Sequence, residues 1–190
     1  MDRDSKEDDT MWRVEAKESI EKSLKNVIKK DTIDDETYKH IEGVIEWMNY
    51  LNDGWDKCFL ILMGSVGNGK TSLMEALIDY MSPDYDASHP VKIRKAKDLA
   101  KAAIKGEDYN PYCTVLAIDD LGEEPKEVMC FGNVVTPIID IIEDRYEWKR
   151  ITIITTNLDE AGIREKYGVR VADRLKEISI VVPFTNSSYR

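Results

Sequence analysis

Gly64-Ser65-Val66-Gly67-Asn68-Gly69-Lys70-Thr71-Ser72 is the stretch whose reading decides the fold. The apolar run Cys58-Phe59-Leu60-Ile61-Leu62-Met63 precedes it, and a helical pattern, Leu73, Met74, Ala76, Leu77 and Ile78, follows. Strand, glycine-rich loop and helix are the setting a phosphate-binding P-loop requires, and G-x-x-x-x-G-K-[ST] is met at every fixed position. Gly64, Gly67 and Gly69 lack a Cβ, so the backbone can curl and aim its N–H groups at an anion. A helix starting near Lys70 adds its positive end. Lys70 is a point charge for β- and γ-phosphates, and the Thr71 hydroxyl is a ligand for Mg²⁺. The plain alternative is a glycine-rich turn followed by a chance Lys-Thr.

The 190 residues suffice for one sizeable core. A composition 42% hydrophobic and 34% charged is that of a soluble globular chain. No apolar run nears the roughly 20 residues of a membrane span, and the acidic start of the chain argues against a signal peptide. Cys58, Cys113 and Cys130 form no C-x-x-C pair, which fits reduced thiols in a cytoplasmic protein. The net charge of −10 excludes a globally basic nucleic-acid binder, though not a local basic patch.

Before the loop, Trp12, Ala16, Ile20, Leu24, Val27 and Ile28 recur at helical spacing. This amphipathic helix and the charged tail before it form an N-terminal segment, 1–33. Its stripe either packs on the main domain or serves as a partner-docking arm. A second helix starts at Thr32 or Asp34, either of which could cap it, and stops at Gly54. After the P-loop helix come a short strand at 91–94, a helix at 96–105 and a buried-type strand ending in Asp119-Asp120. A long helix follows with the stripe Val134, Val135, Ile138, Ile139, Ile142 and Tyr146. A strand at 151–156 ends in Asn157, a helical stretch at 162–175 breaks near Gly168, and a last strand is ended by Pro183. Strands alternating with helices predict a parallel α/β sheet.

A carboxylate at the carboxyl end of a neighbouring strand faces the nucleotide crevice of such a sheet. Asp119 is placed as a Walker-B Mg²⁺ ligand, and Asp120 is placed to orient or deprotonate an attacking water. The plain alternative is a solvated acidic turn. Asn157 could hydrogen-bond the γ-phosphate or the water. No N-K-x-D guanine signature is present, so ATP is favoured over GTP.

These pieces, taken in order, resemble the AAA+ ATPases of the DnaC/IstB type, the helicase loaders and transposition helpers. They are the loop at 64–71, Ile118-Asp119-Asp120-Leu121-Gly122, Asp144-Arg145-Tyr146, Thr155-Thr156-Asn157, Arg170-Val171-Ala172-Asp173-Arg174-Leu175 and the terminal Ser188-Tyr189-Arg190. The resemblance covers roughly 35–190 and makes 34–190 the ATPase core, with no helical lid. It implies five parallel strands in the order 5-1-4-3-2, ATP and Mg²⁺ at a subunit interface, and a homo-oligomer in the ATP state. It also implies Arg174 acting on the neighbour's γ-phosphate, with Arg170 a weaker choice, and Arg190 touching nucleotide in its own subunit. The alternative for Arg174 is a surface pair with Asp173 or Glu177. Many relatives carry Glu where Asp120 stands; one methylene less implies slow hydrolysis.

Lys92, Arg94, Lys95, Lys97, Lys101 and Lys105 crowd one short segment in which Asp98 is the only acid. Lys97, Lys101 and Lys105 share a helix face. In relatives this region lines a channel for single-stranded DNA, and a charged groove tracking phosphates needs no sequence readout; the alternative is an ordinary solvated face. The expectation is therefore an ATP-dependent accessory protein of DNA replication, helicase-loader-like, whose client is a replicative helicase. The alternatives are a transposase client, a non-catalytic ATP-sensing adaptor and a small-molecule P-loop kinase.

Overall fold

The computed structural model describes residues 3–54, 57–84, 91–109 and 113–185. Strand β1 (Phe59–Gly64) lies inside a five-stranded parallel sheet. Its side chains alternate between two cores. Leu60 and Leu62 face helices α1 (Arg3–Ile28), α2 (Asp35–Asp53) and α3 (Lys70–Met81). Phe59 and Ile61 face α4 (Ala96–Ile104), α5 (Pro137–Glu147), α6 (Glu160–Tyr167) and α7 (Val169–Ile178). A strand buried on both faces reads as an unbroken apolar run, which is what residues 58–63 are.

The remaining sheet strands are β2 (Val91–Lys95), β3 (Val115–Leu121), β6 (Thr152–Thr156) and β7 (Ser179–Phe184). They lie in the order β2-β3-β6-β1-β7. Counted by rank along the chain, that is 2-3-4-1-5, the expected 5-1-4-3-2 taken from the other edge. Strand β7 runs through Pro183 rather than ending before it. Among the described residues it pairs with β1 alone, with Met63 opposite Pro183, and an edge strand tolerates a residue with no N–H to give.

The stripe of α1 is Ala16, Ile20 and Leu24, all buried in the core shared with α2 and α3. Asp34 caps α2 by accepting a hydrogen bond from the Thr37 N–H at 2.8 Å. Gly54 stops it at a φ of 141° that disfavours other residues.

A second expectation also fails. Val134 and Val135 are not helical: β4 (Val128–Cys130) and β5 (Asn133–Val135) form an antiparallel hairpin, and α5 begins only at Pro137. Phe131 and Gly132 make its two-residue turn, both at positive φ. Val128 packs with Ala100 and Ala103 of α4, so the hairpin lies against that helix.

Candidate nucleotide site

The loop between β1 and α3 is shaped by close approach. A Cβ on Gly64 would stand 2.2 Å from the Phe184 carbonyl oxygen, so only glycine fits. That same carbonyl accepts from Asn68 Nδ2 at 3.0 Å, which clips the loop to the end of β7. Gly69, at φ 95°, turns the chain into the first residue of α3.

Lys70 is buried, and its Nζ lies within hydrogen-bond distance of four oxygens. They are Gly64 O at 2.8 Å, Ser65 O at 2.6 Å, Asn68 Oδ1 at 3.1 Å and Asn157 Oδ1 at 2.9 Å. An ammonium has three protons to give. Burial pushes its pKa down, against the pull of Asp120 and Asp119.

Thr71 Oγ1 donates to Asp119 Oδ1 at 2.8 Å, joining the first turn of α3 to the end of β3. Thr155 Oγ1 donates to the same oxygen at 2.7 Å and accepts from the Asp120 N–H at 2.9 Å. The hydroxyl and carboxylate of Thr71 and Asp119 are hard oxygen donors. Among the described residues no cluster of three or more His, Cys, Asp or Glu could cage a metal by itself. Two protein oxygens fit Mg²⁺, which keeps several waters and completes its shell with phosphate oxygens.

Asp120 is left-handed, at φ 57°, where the β3–β6 register shifts between Ile118 and Leu121. Burial, then Asp119 and Glu123, raise its carboxyl pKa. A non-glycine residue at positive φ is uncommon, and such positions concentrate at functional sites.

Val66 to Ser72, Asp119, Asp120 and Asn157 line one cleft of about 730 Å³. The same cleft is lined by the apolar Leu24, Val27, Ile28 and Ile33, by the stacked pair His40 and Phe184, and by the polar Lys30, Thr32, Asp34 and Thr37. Burial lowers the His40 pKa, which favours the neutral ring. Nothing local in the sequence marks these residues as cleft-lining, because they meet the loop only through α1, α2 and β7. Thr155, which the sequence offers only as part of Thr155-Thr156-Asn157, holds Asp119 rather than lining the cleft.

Arg174 lies outside the cleft. Its Nη1 is 3.1 Å from Glu143 Oε1, and its guanidinium sits 4.7 Å over the Tyr146 ring. The alternative pairs for Arg174, with Asp173 or Glu177, are not made: Asp173 binds Arg164, and Glu177 accepts from the Tyr146 hydroxyl. Arg190 falls outside the described residues. Glu124, which sequence reasoning passed over, is buried; it accepts from the Gly122 N–H and from the Tyr167 hydroxyl and lies 3.5 Å from Lys166 Nζ.

The three lysines of α4 do not stand alone. Lys97 Nζ is 3.5 Å from Glu123, Lys101 Nζ is 2.9 Å from Asp98 and Lys105 Nζ is 3.8 Å from Glu107. Folding therefore adds Glu123 and Glu107 to the single acid legible in the segment. All three side chains remain largely exposed.

No protein-family model matches the sequence, and no curated protein does. Solved structures match the fold. A DnaI structure superposes with TM-score 0.61 at 19% identity, covering 86% of this chain and 89% of that one. The DnaC helicase loader gives 0.61 at 20%, covering 84% and 96%. The chain shares the fold of these DnaI and DnaC structures. The AMPPCP-bound DnaA of Aquifex aeolicus shares it with TM-score 0.58 at 20% identity; the match covers 86% of this chain but 50% of that longer one. No described helix is long and apolar enough to cross a membrane.

Proposed function

We propose that this chain binds and hydrolyses ATP as a helicase-loader-like accessory protein of DNA replication, working as an ATP-gated oligomer on single-stranded DNA. The observation that carries the reading is the convergence of Lys70, Thr71, Asp119 and Asn157 in one cleft behind a glycine-rich loop. Neighbours of the same fold are described as a helicase loader and as DnaA bound to AMPPCP and single-stranded DNA.

In this reading the loop N–H groups and Lys70 bind the β- and γ-phosphates, with Lys70 exchanging its present oxygen partners for phosphate oxygens. Thr71 and Asp119 hold Mg²⁺, which when bound neutralises charge on the phosphates. Asp120 accepts the proton of the attacking water and Asn157 orients it. The apolar side chains of the cleft wall, Leu24, Val27, Ile28 and Ile33, take the adenine. Arg174 serves a neighbouring subunit, since it lies outside its own cleft.

The test is Lys70→Ala. Losing charge-assisted hydrogen bonds to the phosphates should weaken ATP binding by about 10- to 150-fold, measured by calorimetric titration, with the fold retained by circular dichroism. Unchanged affinity in a folded variant would sink the assignment.

A further inference from the structure

The turn of the β4–β5 hairpin contradicts its own geometry. Two-residue hairpin turns with both φ angles positive are the domain of Asn-Gly, Asp-Gly and Gly-Gly. Gly132 obeys, at φ 85°, but the first position holds Phe131 at φ 46°. A bulky residue there stores backbone strain. Burial does not compensate for it, because Phe131 is 85% exposed. An aromatic ring held at a strained tip and left in water calls for a use outside the fold.

Its neighbourhood indicates which use. A Cβ on Gly106 would lie 2.2 Å from Phe131 Cε2, so the ring rests on bare backbone at the end of α4. Gly106 follows Lys105 directly, and Lys101 lies one turn back on the exposed face. Among the described residues each pairs with a surface carboxylate, an attachment of small energy that an incoming phosphate can replace. Tyr109, the aromatic nearest in sequence, is spent elsewhere. It is half-buried and donates to Asp140 at 2.9 Å, and burial with that bond pushes its pKa up to about 12.

We propose that the hairpin tip and the end of α4 form one surface for single-stranded nucleic acid, in which Phe131 stacks on a base and Lys101 and Lys105 take the flanking phosphates. The proposal rests on the single-strand-binding reading above and names a stacking residue for it. An aromatic platform beside cations binds strands without reading their sequence, since every base has a face to stack.

The experiment measures binding of a labelled oligothymidylate to the full chain with Mg-ATP, at several salt concentrations. Phe131→Asn suits the turn, so its melting temperature should equal or exceed the parent's. Its affinity should nevertheless fall about 5- to 150-fold, with an unchanged salt slope because no charge is lost. Phe131→Trp should restore binding. The Lys101→Gln, Lys105→Gln double variant should instead flatten the slope by about 1.4. If the parent binds with a lysine-dependent slope and Phe131→Asn binds equally well, the hairpin is no part of the DNA surface, and an apolar protein partner becomes its occupant. If the parent binds no strand in any nucleotide condition, this proposal and the single-strand reading fall together.

Discussion

Glu143 and Arg174 meet at 3.1 Å, and the same carboxylate oxygen also lies 3.1 Å from Arg170 Nε. Two guanidinium groups one turn apart on α7 thus share one carboxylate on α5. The shared partner holds Arg174 against Tyr146 while leaving the pair of arginines with surplus positive charge.

If Arg174 acts on a neighbour, Arg174→Ala should bind ATP nearly normally yet hydrolyse it more slowly, by up to about 10³-fold or more. Mixing it with Lys70→Ala should recover part of the ATPase activity, because some interfaces would then pair an intact loop with an intact arginine. Demonstrated co-assembly without recovery, together with lost ATP affinity in Arg174→Ala alone, would place Arg174 in its own subunit's chemistry.

Asp120 gives a pH-dependent prediction. Its folded pKa is raised by burial and by Asp119, so the deprotonated form that accepts a proton is reached at a higher pH than for an ordinary aspartate. The acid limb of the rate profile should be displaced upward accordingly. For stability the sign is the reverse. A raised folded pKa favours the fold below the unfolded pKa, and that contribution is lost as pH rises through the folded pKa. Asp120→Asn, which also tolerates a φ of 57°, should therefore gain in melting temperature relative to the parent as pH rises from about 4 towards neutral. A pH-independent difference would refute the burial account.

Arg145 is fully buried, and burial lowers its pKa to about 10. It donates to Thr152 Oγ1 at 2.7 Å and to the carbonyls of Cys113, Thr114 and Ile151 at 3.3, 3.1 and 2.5 Å. One side chain thereby ties α5 to the starts of β3 and β6. Arg145→Met leaves these acceptors short of a donor, at about 1–3 kcal/mol for each one stranded. Urea unfolding should show a loss above about 3 kcal/mol; a loss under about 1 kcal/mol would mean that water replaces the guanidinium freely.

Helix α1 serves both core and cleft, and two substitutions separate these roles. Ile20→Ala and Leu24→Ala should each cost about 2–5 kcal/mol of stability. Only Leu24 lines the cleft. Measured where both variants are folded, ATP affinity should fall for Leu24→Ala alone. Equal affinities would remove α1 from the nucleotide site.

What could be read in the sequence was whatever depends on neighbours in the chain. The apolar run at 58–63, the glycines, and Asp34 three residues before the Thr37 N–H it binds are local patterns. The hairpin was not legible because its strands have three residues each and its turn uses Phe where Asn or Asp would announce it. Val134 and Val135 then fell into register with the helical stripe of α5. Glu143 as the partner of Arg174, and Glu123 as the partner of Lys97, depend on elements far apart in the chain. The apolar part of the cleft lining is of the same kind, since Leu24 and Phe184 lie far apart in the sequence.

The sheet order carries a consequence for how the chain is made. Strand β1 pairs only with β6 and β7, both of which come much later in the sequence. At roughly 5–20 residues added per second, the glycine-rich loop leaves the ribosome many seconds before either flanking strand exists. Its clip to the Phe184 carbonyl spans 116 residues and closes last. Nascent chains shorter than this have no finished cleft, so no ligand of the cleft can stabilise them. They depend on β2–β3 pairing and on the helices already made to keep the apolar faces of β1 out of contact with other chains.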